Sequence, residues 1–101
     1  MLPKRRRLSA REVREVLRRG RSLRAGAVSV RYMGGSTGKA AVVVSRKVAG
    51  RAVERNRLRR AGYRALSVNP SFLPQDTHVV FFIQKKEFDP KDIVSLCLKL
   101  S

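Results

Sequence analysis

Between Ala52 and Ala65 the chain reads AVERNRLRRAGYRA, five arginines with one asparagine and one glutamate. A guanidinium is a planar fork of donors, charged at any physiological pH, and it matches phosphate oxygens two at a time. The chemistry open to Arg55, Arg57, Arg59, Arg60 and Arg64 is therefore the gripping of a phosphodiester backbone. Arg46, Lys47 and Arg51 lie just upstream and extend the same cationic run. Asn56 stands between two of the arginines. Its amide can meet a base edge or a sugar hydroxyl, or serve as an ordinary surface or capping group.

Residues suited to breaking bonds are sparse. His78 is the single histidine and sits at the edge of an apolar run, where a structural role is the simpler reading. Glu12 and Glu15 are explained by helix capping and salt pairing, and Cys97 by the apolar stripe around it. No His/Cys group has zinc-ligand spacing. Gly34-Gly35-Ser36-Thr37-Gly38-Lys39 lacks the order of a phosphate-binding loop and has no helix after it. No catalytic residue and no metal ligand is assigned.

The bulk charge agrees with the local pattern. Among 101 residues, 24 Lys and Arg stand against 7 Asp and Glu, a formal net charge of +17. Such a balance repels itself and calls for a polyanionic partner. The cations are also clustered: residues 1–24 hold ten, residues 46–64 hold eight, and residues 65–101 hold four against four acids. Solubility alone does not require clustering, whereas a localised polyanion footprint does. A lone cysteine forms no internal disulfide and fits a reducing compartment. Neither a signal peptide nor an apolar run of about 20 residues is present, so the expectation is a soluble, cytoplasmic protein. The arginine-rich segment lacks the broad apolar face of a membrane-surface helix.

The elements that must position these residues can be read in outline. Ser9-Ala10-Arg11-Glu12 is a capping box, and Val13, Val16 and Leu17 follow at helical spacing until Gly20, which predicts a helix over 9–19. Residues 27–33 alternate, with Val28, Val30 and Tyr32 on one face and Ser29 and Arg31 on the other. Ala40 to Ser45 is a continuous β-branched run that reads as a central strand, and pairing it with 27–33 as a hairpin is the simplest arrangement. Residues 51–66 favour a helix. At about 100° per residue, Val53, Arg57, Arg60 and Arg64 share one stripe, and Leu58, Ala61 and Ala65 form a narrow small-residue face. Phe72 to Asp76 reads as a loop, and His78 to Ile83 as a buried strand. Asp89 and Pro90 open a last helix as N-cap and N1, with Ile93, Leu96, Cys97 and Leu100 facing the core. The order is α-β-β-α-β-α, an α+β fold in one domain over 1–101, with 1–8 as a basic N-terminal tail.

The stretch from Val44 to Gly50, VSRKVAG, followed by Arg51 to Arg60, RAVERNRLRR, resembles the signature of the bacterial ribonuclease P protein component. That signature is a buried strand ending V-S-K-K, a short glycine-containing link, and A-V-x-R-N-R-x-(K/R)-R on a helix. The flanks agree. Arg18-Arg19-Gly20-Arg21-Ser22 matches the end of the family's first helix, and Leu73-Pro74 its L-P turn. Asp76-Thr77-His78-Val79-Val80 matches a D-x-V-V strand with the aspartate one residue early. The resemblance implies an α/β sandwich on a small mixed sheet with a left-handed β-α-β crossover, against the general right-handed rule. It also implies a fourth strand, for which Arg21 to Arg24 is the candidate.

The function so implied is that of the protein subunit of ribonuclease P, which removes the 5′ leader from precursor tRNA. It is part of an enzyme only as a subunit, since the RNA performs the hydrolysis with Mg2+. The implied partners are the ribonuclease P RNA and precursor tRNA, with no membrane and no obligatory protein partner. Arg55, Asn56, Arg57, Arg59 and Arg60 match the family's RNA-contacting motif, Arg46 and Lys47 match its K-K pair, and Arg51 and Arg64 add charge nearby. The family's first helix carries two aromatics that line a leader cleft, and here Val13 and Leu17 stand at those positions. They offer apolar contact, or belong to the core, and cannot stack on bases. Tyr32 or Arg31 matches a cleft tyrosine on the following strand; Tyr32 could stack on a base or be a half-buried strand residue. The reading in competition with this one is a small basic RNA-binding protein, ribosomal or chaperone-like, with no part in tRNA processing.

Overall fold

The structure, a computed structural model, describes residues 6–34, 38–68 and 76–100. Ser9 caps the first helix as its spacing predicts. The Glu12 N–H donates to Ser9 Oγ at 3.2 Å, and the Ser9 N–H donates to Glu12 Oε1 at 2.9 Å. Helix α1 spans Ala10–Arg19 and ends where the Gly20 N–H donates to the Val16 carbonyl at 2.7 Å. Strand β1 follows at Arg21–Ala25, the short extra strand the resemblance calls for. A turn through Gly26, whose φ of 58° suits glycine, returns the chain as β2 at Val28–Gly34.

Strand β3 is Ala40–Val44, helix α2 is Ala52–Val68, strand β4 is Thr77–Ile83, and helix α3 is Pro90–Leu100. Asp89 opens α3 as expected, its Oδ1 accepting from the Lys91 N–H at 2.9 Å. The fold is α+β, with three helices on a four-stranded mixed sheet. The Phe72 to Asp76 loop, apart from Asp76, and Gly35 to Thr37 of the glycine-rich turn lie outside the described residues.

The strand order is β1-β2-β4-β3. This corrects two expectations. First, β2 and β3 do not pair as a hairpin; β4 lies between them, antiparallel to β2 and parallel to β3. Second, β3 is an edge strand and β4 the central one, beside β2. The reason is the crossover: α2 carries the chain from β3 back to its parallel neighbour β4. Strand β3 reads as central because its side chains are nevertheless covered on both faces.

Each face of the sheet has its own core. Val28, Val30, Val42, Val79, Phe81 and Ile83 face α2 and α3, and meet Leu58, Leu66, Ile93, Leu96 and Cys97 there. Burial pushes the Cys97 thiol up to about 11, so it stays an inert neutral group. On the other face Val16 of α1 meets Ala41 and Val80, with Val13, Met33, Val43 and Phe82 around them. Helix α2 approaches β3 closely at Gly62, where an added Cβ would lie 2.8 Å from Val42 Cγ1. The buried line of α2 is thus Leu58, Gly62 and Leu66, and the predicted small-residue positions Ala61 and Ala65 flank it half-buried.

Candidate nucleic-acid interface

The chain leaves β3 at Val44 and turns at once. The Val48 and Ala49 N–H groups both donate to the Ser45 carbonyl, at 3.1 and 3.2 Å. Ala49 is buried, while Arg46 and Lys47 stand on the exposed outer side of the turn. Arg55, one turn into α2, reaches back and donates from one guanidinium nitrogen to the Ala49 and Gly50 carbonyls, at 3.1 and 2.9 Å. Sequence reading groups Arg55 with the RNA-facing cations. The structure gives part of its fork to the loop that presents Arg46 and Lys47.

Asn56 has a definite job within the helix. Its Oδ1 accepts from a terminal nitrogen of Arg59, one turn further on. An asparagine among arginines thus orients one of them. Arg51, Arg57, Arg59, Arg60 and Arg64 are exposed. Glu54 is the single acid of α2, and it pairs with Lys86 at 3.2 Å across the link between β4 and α3. None of the helix's arginines has a carboxylate partner among the described residues. Val53, 79% exposed, sits among these charges at the start of the helix.

The N-terminal segment adds to this surface, a placement that a basic tail does not announce by its composition. Arg6 donates to the Gly38 carbonyl at 3.3 to 3.4 Å, Arg7 pairs with Ala40 as a parallel bridge, and the Leu8 N–H donates to the Ala40 carbonyl at 2.9 Å. Residues 6–8 of the expected tail therefore lie along the outer edge of β3. Arg7 is brought beside α2, and with Val42, Asn56, Arg59, Arg60 and Tyr63 it lines a concavity of 360 Å³. The Tyr63 hydroxyl accepts the Val42 N–H at 3.2 Å, taking up an edge-strand donor.

The leader-cleft candidates fall on the opposite face. Val13 is half-buried in the smaller core and Leu17 is 38% exposed. Arg31 reaches the end of α1 and donates to the Gly20 carbonyl at 3.0 Å. Tyr32 does not join them; strand alternation turns it to the α2/α3 side, where it packs at the border of the larger core. The aromatic on the α1 side is Phe82 of β4, half-buried beside Val43 and Met33. Sequence reading missed it because HVVFFI is apolar at every position after the histidine, which hides the alternation.

Among the described residues no group of three or more His, Cys, Asp or Glu side chains could hold a metal ion, and no helix is long and apolar enough to cross a membrane. The fold and the open arginine rows define a class first: a small α+β domain built to bind RNA. The sequence profile of the Ribonuclease P family matches residues 2–100, and the chain belongs to that family. Its members are the protein subunits of a tRNA-processing holoenzyme in which RNA is the catalyst, so the ribonuclease P RNA is its partner. No curated protein matches by sequence. The fold is similar to the RNase P protein of Thermotoga maritima, with a TM-score of 0.81, 22% identity, and coverage of 94% of this chain and 97% of that one. It is also similar to the RNase P protein of Staphylococcus aureus, with a TM-score of 0.75, 19% identity, and coverage of 97% and 95%.

Proposed function

We propose that the α2 face holds the ribonuclease P RNA and that the α1 side of the sheet receives the 5′ leader of precursor tRNA. The observation that carries the first part is the set Arg57, Arg59, Arg60 and Arg64, exposed and without carboxylate partners among the described residues, beside Arg46, Lys47 and Arg51. An arginine row that repels itself is relieved by phosphates that accept its forks. Arg55 and Asn56 support this surface from within, by holding the loop and orienting Arg59. For the leader, Val13, Leu17 and Phe82 supply apolar surface and Arg31 a nearby charge, while Tyr32, turned to the α2/α3 side, lies outside this surface.

Mg2+ belongs in this reading to the RNA, which supplies the hydrolytic chemistry. The protein's part is to neutralise phosphates, so that the RNA and its substrate approach each other with less divalent ion. The cytoplasm, where that RNA works and Cys97 stays reduced, is the proposed compartment. The test is reconstitution: the chain is added to a bacterial ribonuclease P RNA at low Mg2+ with precursor tRNA. Faster 5′ processing is the expected result, and no acceleration with a cognate RNA overturns the reading. RNA binding should weaken with salt at a log–log slope of about −4 to −5, for roughly six phosphates.

A further inference from the structure

We infer that the outer edge of β1 is a docking site for an extended acidic segment of a partner protein, which adds to the sheet as a further strand antiparallel to β1. The two borders of the sheet differ in their backbone. On β3 the outward groups are taken up: the Ala40 carbonyl accepts from the Leu8 N–H, and the Val42 N–H donates to the Tyr63 hydroxyl. On β1 they are open. The Gln84 N–H donates to the Ala27 carbonyl, which sets the phase of β2. Ser29 and Arg31 turn their backbone groups toward β4, and Val28, Val30 and Tyr32 turn theirs toward β1. Those three lie opposite Ala25, Leu23 and Arg21, which therefore hold the ladder from the β1 side. The N–H and C=O of Ser22 and Arg24 point out of the sheet, and β1 stands at the end of the strand order with no strand beyond it among the described residues.

Side chains decide what fits this edge. Arg21 and Leu23 lie on the α3 side, and alternation puts Ser22 and Arg24 on the α1 side. Arg21, Ser22 and Arg24 are exposed and Leu23 is half-buried. Neither arginine has a carboxylate partner among the described residues. A second copy is a poor occupant, because two paired β1 edges would gather Arg21 and Arg24 from each copy into one short ladder, and like charges across strands are destabilising. RNA is a poor occupant as well. A phosphate group brings acceptors alone and leaves the outward carbonyls unmatched, whereas a peptide brings donors and acceptors in the alternation the edge presents.

An acidic peptide meets both conditions. Laid antiparallel, it sets an acid opposite Arg24, an apolar residue over Leu23, a small hydroxyl residue opposite Ser22 and a second acid opposite Arg21. The segment is thus acid, apolar, Ser or Thr, acid. Backbone bonds at Ser22 and Arg24 supply the attraction, and the flanking side chains select the sequence. The edge lies at the far end of the strand order from β3, whose margin α2 guards through Tyr63, so the inference does not depend on the reading of the α2 face.

The test follows amide exchange by NMR in the full chain, with the blocked peptide Thr-Glu-Val-Thr-Glu-Thr at millimolar concentration. Exchange at the Ser22 and Arg24 N–H groups is expected to slow severalfold, while the Leu23 N–H, already bonded to β2, keeps its rate. The same peptide N-methylated at its first glutamate and its middle threonine keeps its charge and loses the paired donors; it is expected to protect neither amide, and it leaves the protein itself untouched. Arg21→Glu/Arg24→Glu is expected to weaken binding of the unmodified peptide severalfold, with exchange of the core amides of Val30 and Phe81 unchanged. Equal protection by both peptides overturns the inference, since the contact is then one of charge alone. Unaltered exchange at Ser22 and Arg24, or undiminished binding by the charge-reversed variant, overturns it too. Equal protection of those two amides by a short single-stranded RNA overturns the choice of partner.

Discussion

Among the described residues, fourteen buried ones form one cluster on the face covered by α2 and α3, and three do on the face covered by α1. Both faces belong to the same four strands, so the difference is one of cover. Helices α2 and α3 reach β3, β1 and β2 and touch each other, whereas α1, ten residues long, meets only β2 and β4 in strength. The thick side supplies cohesion. The thin side leaves Phe82, Val43 and Met33 half-buried, where apolar surface is available to a ligand at modest cost to stability. A small domain can in this way keep its larger core and its half-open apolar surface on different sides of one sheet.

The sharpest way to break that contrast is a pair of neighbouring phenylalanines. Phe81 is fully buried on the thick side, and Phe81→Ala should cost about 3–5 kcal/mol in urea unfolding. That is a large share of the ~5–15 kcal/mol typical of a domain. Phe82→Ala should cost clearly less in the same measurement. It should instead weaken binding of RNA with a single-stranded 5′ extension, by about 1–3 kcal/mol for a lost stacked base. Equal stability losses would erase the distinction between the faces.

Gly62→Ala probes how tightly the thick side is packed. The added methyl meets the stiff Val42 side chain, and overpacking costs about 1–3 kcal/mol, more than the ~1 kcal/mol that alanine gains in a helix. Thermal unfolding should show net destabilisation, relieved in a Val42→Ala background. Within α2, Arg55 and Arg57 should separate as well. Arg55→Met removes a charged donor from two carbonyls, so it should lower stability by about 1 kcal/mol and speed amide exchange at Val48 and Ala49. Arg57→Met should leave stability alone and make the salt slope of RNA binding shallower by about 0.9.

The smallest effect belongs to the thin side. The Ser9 N–H, more than the Lys39 ammonium, holds the Glu12 carboxyl below its ordinary value of 4.5. A lowered carboxylate stabilises the fold above that ordinary value and loses its contribution as pH falls through the lowered one. Glu12→Gln should therefore cost about 0.5–1 kcal/mol at neutral pH, and the gap to wild type should close in acid.

What could be read in advance was local. Ser9 with Glu12, and Asp89 with Pro90, declare helix starts within four residues, and both are found there. The RNR helix and the loop before it were legible from residue type alone. The partnership of β4 with both β2 and β3 was not, because sheet order depends on a crossover whose energy no short window contains. Tyr32 and Phe82 show the same limit at the site. Alternation told which residues of β2 share a face, but not which face α1 would cover. The bonds from Arg55 to the loop carbonyls exist only once the turn after β3 has closed, so a list of cations could not separate that arginine from its neighbours.

The segment laid along β3, together with the phenol of Tyr63, closes the outer margin of the sheet. An unguarded strand there would invite a second copy to add itself by backbone pairing. Copies crowded along one RNA would meet often enough for such adhesion to compete with the intended complex. With that border occupied by the chain's own residues, this side of the sheet offers a second copy no open strand to pair with.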